Sequence, residues 1–148
     1  MSFFGALDVS ASGLTAERLR MDVTAENLAN AQTTRGANGQ PYRRKEVVLQ
    51  EAGPGTFGAT LASAMGAHGA SAAGGVQVAG IVEDQTNFKT VYDPGHPDAD
   101  AQGYVRMPNV DTVTEMVDLI SASRAYEANV TAMNAAKQMF TKTLELLR

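Results

Sequence analysis

Both ends of this 148-residue chain repeat apolar residues at the spacing of a helical seam, whereas its middle does not. At the C-terminus, eight of ten positions spaced alternately three and four apart are apolar, in the series Met116, Leu119, Ser123, Tyr126, Val130, Met133, Lys137, Phe140, Leu144 and Leu147. At the N-terminus, only the arginine departs from the same rhythm, in the series Leu7, Ala11, Leu14, Arg18, Met21, Ala25 and Leu28. A 3.5-residue period places a narrow apolar stripe along one side of a helix. We therefore predict that these two stripes, here called the N-terminal seam and the C-terminal seam, are helix-to-helix assembly surfaces.

Four polar residues of the terminal segments are candidates for setting register or choosing neighbours. Arg18 and Lys137 interrupt the seams, where each either reaches past the seam into solvent or fixes the alignment of packed helices. Asn30 suits the end of the first helix in a left-handed conformation. Asn27 has no local reason for its position, and an inter-chain hydrogen bond is one hypothesis for it.

Composition limits the functions that the chain can perform. The net charge is −4, and the segments 1–31, 32–110 and 111–148 carry −2, −1 and −1, so no segment has the basic excess that binds nucleic acid. The only basic run, Arg43 to Lys45, is followed directly by Glu46 and is interpreted as a solvated strand face or hairpin. Cysteine is absent, which excludes disulfides and thiolate metal sites. The start of the chain lacks the features of a cleavable signal peptide, and no apolar run is long enough to span a membrane.

The pattern predicts a mainly α protein with a small β part, an α+β fold. The first helix is expected from about Gly5 to Ala29, and the last from a Thr112–Glu115 capping box to Arg148. Extended segments are predicted between them, with a tight turn at Asn38-Gly39, and they lie at 42–50, 76–82, 88–92 and 103–108. The chain thus divides into an N-terminal helix (1–31), a β and loop region (32–110) and a C-terminal helix (111–148). Small residues on several sides of the last helix predict close packing by more than one neighbour.

Residues 52–75 form a separate compositional zone. Fifteen of its 24 residues are Ala or Gly and none is charged, so it is predicted to be a flexible loop or insertion, with a short helix possible at 60–65. Gly53, Gly55 and Gly58 match the dinucleotide-binding pattern GxGxxG. Pro54 removes a backbone donor, and no crossover helix of the usual length follows. We therefore expect no nucleotide site there.

No residue cluster predicts catalysis or a cofactor. Asp93, His96, Asp98 and Asp100 lie within eight residues, but their spacing fits no calcium loop and a single histidine gives a poor ligand set. His68 has no evident partner for base catalysis. The chain is accordingly predicted to be no enzyme, to bind no metal or other cofactor and to have no small-molecule substrate.

Several motifs resemble those of the bacterial flagellar rod and hook proteins. The N-terminal signature is carried by VSASGLTAE at 9–17, Arg20-Met21 and AENLAN at 25–30. Further motifs are similar to those of the proximal rod proteins in this family, and they lie at 39–43, 75–78, 91–95, 103–110, 115–117 and 122–130. Together they cover nearly the whole chain apart from residues 52–75.

The resemblance implies a structural subunit of the flagellar basal body. Members of this family polymerise through their terminal helices, which line the rod as a coiled-coil layer, into a shaft that crosses the periplasm and passes torque to the hook. Implied partners are further copies of the chain, other rod proteins and an adaptor between the membrane ring, the export gate and the rod base. The resemblance also implies export by the flagellar type III system, without a cleavable signal peptide.

The seams alone leave alternatives open. An intracellular coiled-coil adaptor or dimerisation module fits the same heptads, and another rod subunit fits the same motifs. We also expect the termini of the free subunit to be loosely ordered, because the longer C-terminal seam cannot be covered by the shorter N-terminal one.

Overall fold

The computed structural model describes residues 3–36, 38–52 and 74–146, and these form two long helices and four short strands. In chain order the elements are α1 (Phe3–Ala29), β1 (Lys45–Glu51), β2 (Val76–Glu83), β3 (Lys89–Tyr92), β4 (Tyr104–Met107) and α2 (Thr112–Leu146). The predicted α+β class is thus confirmed, whereas a coiled-coil layer stays a prediction. The glycines of the GxGxxG pattern, His68 and the possible helix at 60–65 lie outside the described residues.

The strands pair as two separate two-stranded antiparallel sheets. In the β1–β2 sheet, the amide of Ala52 donates to the carbonyl of Gly75 and the amide of Asp84 donates to the carbonyl of Arg44. In the β3–β4 sheet, Lys89 lies opposite Met107 and Tyr92 opposite Tyr104.

The segment before β1 is a turn, so the strand predicted from residue 42 begins three residues later, at Lys45. The amide of Gly36 donates to Gln40 O, and the amide of Tyr42 donates to Thr33 O. Gly39 has a φ of 70°, a conformation that glycine adopts without strain. The predicted turn at Asn38-Gly39 is therefore present, but no strand leads into it.

Both predicted helix caps need correction. The cap of α2 is Asp111 and not Thr112, because Asp111 Oδ1 accepts hydrogen bonds from the amides of Val113 and Thr114, at 3.0 and 3.2 Å. Asn30 does not adopt a left-handed conformation, since no described residue other than glycine has a positive φ. The chain instead continues past α1 in a further turn, in which the amide of Thr33 donates to Asn30 O.

The described chain forms two compact units, and each has its own buried residues. The first unit comprises 3–18, 49–52, 74–79 and 123–146, and its buried apolar residues include Ala16 and Ala136. The second unit comprises 19–36, 38–48 and 80–122, and its buried residues include Val23, Val105 and Ala122. The buried apolar residues of both units are alanines and valines, so larger side chains such as Leu14, Ile120 and Met133 remain for other contacts. Within the described ranges, neither helix combines the length and apolarity needed to cross a membrane.

Candidate functional site

The N-terminal seam lies on the side of α1 away from its buried residues. Leu14 and Met21 each precede a buried residue, Ala16 and Val23, by two positions, which is about 160° around a helix. None of the four large seam residues is buried, and all are partly exposed: Leu7, Leu14, Met21 and Leu28. The chain's own contacts therefore leave this apolar stripe without a full cover.

The C-terminal seam is covered only in its middle. Leu119, Tyr126, Val130 and Met133 are half-buried, whereas the flanking seam residues are exposed: Met116, Phe140 and Leu144. Leu147, the last predicted seam residue, lies outside the described residues. Both ends of the seam thus keep apolar surface that a neighbour can bury.

Contact between α1 and α2 within the chain is made by small and polar residues. In the first unit, a Cβ added to Gly13 would lie 3.0 Å from Asn129 Nδ2, so the two helices approach closely there. In the second unit, Asn27 of α1 donates a hydrogen bond to Glu115 of α2. The buried residues of α2 are spaced by multiples of seven: Glu115, Ala122 and Ala136. This stripe, and not the larger seam residues, is what α2 fully buries within the described chain.

The two seam cations are exposed. Arg18 and Lys137 form no ion pair within residues 3–36, 38–52 and 74–146. Exposure agrees with both predicted alternatives, a charge held in solvent or a contact with a neighbouring chain, so the role in register or neighbour choice stays a prediction.

Asn27 is the centre of a buried polar network in the second unit. Its exposed fraction is 1 %, and its side chain makes four hydrogen bonds. Asn27 Nδ2 donates to Lys45 O at 2.8 Å and to Glu115 Oε2 at 3.0 Å. Asn27 Oδ1 accepts from Tyr42 Oη–H and from the Lys45 amide, both at 2.9 Å. An amide side chain has two donors and two acceptor sites, so no polar capacity is left for an inter-chain bond. The hypothesis of such a bond is therefore revised in favour of a role inside the subunit.

Glu115 joins this network to a basic residue that precedes β1. Its exposed fraction is also 1 %, and its Oε1 accepts a hydrogen bond of 2.6 Å from Arg44 Nε. Arg44 also lies 3.5 Å from Asp118 and 3.7 Å from Glu46. A buried carboxylate is tolerated when a cation and hydrogen bonds replace its water. Glu115 is thus the buried partner of Arg44 and Asn27, and it is not the capping-box residue predicted from the sequence.

The basic run at Arg43 to Lys45 makes internal contacts, which corrects its interpretation as a solvated strand face. Arg43 donates to Asp84 O at 2.9 Å and lies 4.5 Å from the centre of the Phe88 ring. The Arg44 amide donates to Asn109 Oδ1, and Lys45 Nζ lies 2.6 Å from Glu26 Oε1. These contacts join the start of β1 to α1, to the end of β2 and to the segment before α2.

Electrostatics keeps the Tyr42 hydroxyl of the network protonated near neutral pH. Burial raises the pKa of the Tyr42 hydroxyl to about 12, and the nearby carboxylates of Glu26, Glu115 and Glu83 add to the effect. The hydroxyl therefore stays a donor to Asn27 throughout the neutral range. At the adjoining helix start, amide donors from Thr114 and Val113 lower the pKa of Asp111.

Asn30 and the acidic turn residues have local roles. Asn30 Nδ2 donates to Glu26 O at 2.9 Å, and Asn30 Oδ1 accepts from Thr33. Asp98 accepts from the Thr34 hydroxyl at 2.8 Å, and Asp100 Oδ1 accepts from the amides of Gln102 and Tyr104. Among the described residues, no group of three or more metal-binding side chains is close enough to hold an ion.

Sequence patterns gave only part of this site. They predicted both seams, whose role in assembly stays a prediction, and they singled out Asn27 without its role inside the subunit. They missed the buried pair of Arg44 and Glu115, because the two residues are 71 positions apart. The available signal was the spacing of Glu115, Ala122, Asn129 and Ala136, a seven-residue stripe that is less apolar than the seam beside it. The site thus consists of a hydrogen-bonded junction between the two helices, with partly exposed apolar stripes beside it.

Two family models match the chain at its two ends. Residues 7–37 match the model described as "Flagella basal body rod protein". Residues 101–146 match the model described as "Flagellar basal body rod FlgEFG protein C-terminal". The matched ranges contain most of both helices and of both seams.

Similar proteins align with almost the entire chain. The flagellar basal-body rod protein FlgC of Bacillus subtilis is 55 % identical over 150 residues, covering 99 % of this chain and 99 % of the relative. The FlgC proteins of Escherichia coli O6:H1 and Salmonella typhimurium are 48 % and 47 % identical over 147 residues, each covering 99 % of this chain and 98 % of the relative.

Proposed function

The chain belongs to the flagellar basal-body rod protein FlgC family, and on this premise we propose that its terminal helices polymerise with those of neighbouring subunits. It is a structural subunit of the flagellar basal-body rod and not an enzyme. The single observation that supports polymerisation through the helices is the N-terminal seam, an apolar stripe that faces away from the buried side of α1.

Burial of the seams between subunits supplies the driving force in this proposal. Removing apolar surface from water contributes roughly 25 cal/mol per Å². Leu14, Met21 and the exposed ends of the C-terminal seam still have such surface to bury. Repeated contacts of one kind between unlike surfaces generate an open helical assembly, which is the geometry of a rod. The helices then form a coiled-coil layer made by residues 1–31 and 111–148, with residues 32–110 outside it.

The buried network gives each subunit a fixed junction between its helices. Asn27, Arg44 and Glu115 connect the end of α1, the start of β1 and the first turn of α2 through hydrogen bonds of 2.6 to 3.0 Å. Charge-assisted hydrogen bonds with little solvent contact resist displacement. In a torque-bearing polymer, this junction keeps the end of α1 and the start of α2 in a constant relation to each other.

The remaining aspects follow from membership in the family. We propose that the subunit lies in the proximal, periplasmic part of the rod and that it contacts other rod proteins and an adaptor at the rod base. We also propose that it leaves the cell through the flagellar type III system without a cleavable signal peptide. Termini that are loosely ordered before assembly suit passage through a narrow channel, and burial between subunits offsets the entropy lost on ordering.

Replacing one seam residue by a charge tests assembly through the N-terminal seam. Met21→Lys places an ammonium group in the proposed interface, whereas Thr15→Lys places the same group at an exposed position of α1 beside the seam residue Leu14. We expect Met21→Lys to reduce incorporation into isolated basal bodies at least about tenfold, because an unpaired charge is costly to bury. Thr15→Lys should have a much smaller effect.

Export and folding are controlled separately in this experiment. Both variants should reach the culture medium equally in cells that lack the later rod proteins, and both purified subunits should unfold at similar urea concentrations. Normal incorporation of Met21→Lys would remove the N-terminal seam from the proposed interface.

A further inference from the structure

A second apolar stripe, outside the predicted seams except for one residue, covers the first turns of α2. The exposed fractions of its side chains are 64 % for Val113, 46 % for Met116, 60 % for Val117 and 54 % for Ile120. These four residues are here called the α2 outer face. Their spacing of three and four places them along one side of the helix.

The α2 outer face points away from the helix contact within the chain. Val113 and Val117 each lie two positions from buried Glu115, and Ile120 lies two positions from buried Ala122, which is about 160° around the helix. The N-terminal seam of α1 likewise lies opposite buried residues. The N-terminal seam and the α2 outer face of one chain therefore cannot cover each other. The N-terminal seam of one copy can instead be covered by the α2 outer face of a second copy.

Charges at the ends of the two stripes are complementary. Beyond Ile120, the side of α2 that bears the outer face continues into Arg124 and Glu127. The N-terminal seam includes Arg18, and Asp22 lies one turn further along beside it. All four of these charged residues are exposed, and none forms an ion pair within the described ranges.

One relative direction of the helices satisfies the apolar and the charged residues together. Consider α1 of one subunit antiparallel to α2 of another, with Ala25 opposite Ile120. In this register Leu28 lies opposite Val117, and Arg18 lies opposite Glu127. The same register brings Asp22 next to Arg124. A parallel arrangement with Ala25 opposite Val117 places Arg18 opposite Val110, which precedes α2, and Asp22 opposite Thr114. Arg124 and Glu127 then lie beyond the end of α1, so none of the four charges is paired between the two helices. Opposite charges across a helix interface set partner and direction.

We propose that the α2 outer face of one subunit packs antiparallel against the N-terminal seam of a second copy of this chain, in the register that pairs Arg18 with Glu127 and Asp22 with Arg124. The proposal rests on the proposed rod function and adds a defined surface and register to it. The contact joins two different surfaces, so it repeats from subunit to subunit, and it builds an open helical assembly when the rotation between subunits does not close a ring.

Cysteine crosslinking tests this register, and the chain is suited to it because it contains no cysteine. The double variant Ala25→Cys/Ile120→Cys places two thiols opposite each other in the proposed contact. A disulfide requires Cα atoms within about 7 Å of each other. Positions 25 and 120 of one chain lie on the outward sides of the packed helices and are too far apart to form it. Oxidation of basal bodies that contain the variant should therefore give a ladder of covalent dimers and larger oligomers on non-reducing gels.

The matched control is Ala25→Cys/Thr131→Cys. Thr131 is exposed on the same side of α2, but it lies eleven residues, or about 16 Å, beyond Ile120. We expect at least about a tenfold weaker ladder from this pair, since the thiols are then out of reach. Equal ladders, no ladder from assembled Ala25→Cys/Ile120→Cys, or a crosslink to a different protein would overturn the proposal. Absence of the native chain from basal bodies would instead contradict the proposed function itself.

Charge reversal provides a second test that does not depend on cysteine. Arg18→Glu and Glu127→Arg should each reduce incorporation about two- to fivefold, because each sets like charges opposite one another. The double variant should restore incorporation to near the native level, as expected for residues in direct contact. If the double variant shows the combined loss of both single variants, the proposed register is wrong.

Discussion

Asn27 shows how one residue can be conspicuous in a sequence while its role depends on residues far along the chain. It lies near the end of α1, and its four hydrogen bonds reach Tyr42, Lys45 and Glu115. An asparagine among helix-forming residues indicates a specific function, since it has modest helix propensity. The identity of its partners does not follow from local rules, because Glu115 is 88 positions away. For the same reason, Glu115 fits a capping box by spacing although the structure buries it.

Removing the Asn27 side chain is expected to destabilise the subunit strongly. Asn27→Ala leaves the Lys45 amide and carbonyl and Glu115 Oε2 without this partner, and each buried polar group left unpaired costs about 1–3 kcal/mol. Asn30→Ala is the matched control, because Asn30 is less buried and bonds only to nearby positions. Urea unfolding should show a much larger loss for Asn27→Ala. Equal losses would mean that the network does not stabilise the fold.

Asp111 makes the stability of α2 sensitive to acid. Its pKa is held below the ordinary value of 3.8 by the amides of Thr114 and Val113, with Lys89 adding to the effect. Because the folded pKa is depressed, this contribution is present above the unfolded pKa and is lost as the pH falls through the folded one. Asp111→Asn keeps a capping oxygen but does not titrate, so its unfolding midpoint should fall less steeply than that of the native chain below about pH 4.

The control for this acid dependence is Asp22→Asn, which removes an exposed carboxylate that makes no cap. Its midpoint should follow the native pH profile over the same range. If both variants flatten the profile equally, the acid sensitivity does not arise from the α2 cap.

At the scale of elements, periodic patterns predicted the helices well and their ends poorly. Both helices lie close to the predicted ranges. A long series of apolar residues spaced three and four apart fits an α-helix and no other regular secondary structure. The cap of α2 was misassigned because Asp111 and Thr112 are both good capping residues, and the two hydrogen bonds to Asp111 Oδ1 decide between them. The four strands were found from short apolar runs. Their pairing into two separate sheets did not follow from those runs, since pairing depends on contacts between distant segments.

Enlarging the Ala122 side chain tests whether the stability of the subunit depends on small residues at the buried positions of α2. Its exposed fraction is 0 %, so Ala122→Leu must push neighbouring groups apart, at a cost of about 1–3 kcal/mol. Ala128→Leu on the exposed side of the same helix should change stability by less than about 0.5 kcal/mol. Thermal unfolding of the two purified variants compares them directly. A similar midpoint for both would show that the contact around Ala122 is loose enough to accept a larger side chain.

At the scale of the whole molecule, the proposal places part of the stability in the polymer. The buried apolar set consists of alanines and valines, while larger residues such as Ile120 and Leu144 are exposed. Neighbours can therefore add apolar burial that the chain itself does not supply. The resemblance to rod and hook proteins gave the function that uses such surfaces, whereas periodicity alone also allowed an intracellular adaptor.

Shortening the chain separates assembly from export. A chain that ends at Ala125 keeps Asn27, Arg44 and Glu115 but loses the part of the C-terminal seam from Tyr126 onward. We expect it to be secreted and yet to be missing from basal bodies, so that the cells do not swim. Motility assays and immunoblots of basal bodies and culture medium measure both outcomes. Normal motility would show that the second half of α2 is dispensable for assembly.

Circular dichroism of the free subunit tests the proposal that its helices become fully ordered only on assembly. Complete helices would supply 27 residues in α1 and 35 in α2. Isolated helices are marginal in water without tertiary contacts, and the exposed ends of both seams offer few. We therefore expect the dilute monomer to show clearly less helix than these two elements, with hydrogen exchange fastest in the first turns of α1 and the last turns of α2. Around Asn27 and Glu115, amides should exchange slowly, because the buried network holds that junction without neighbours. Full helicity with uniform protection in the monomer would mean that burial between subunits is not needed to order the termini.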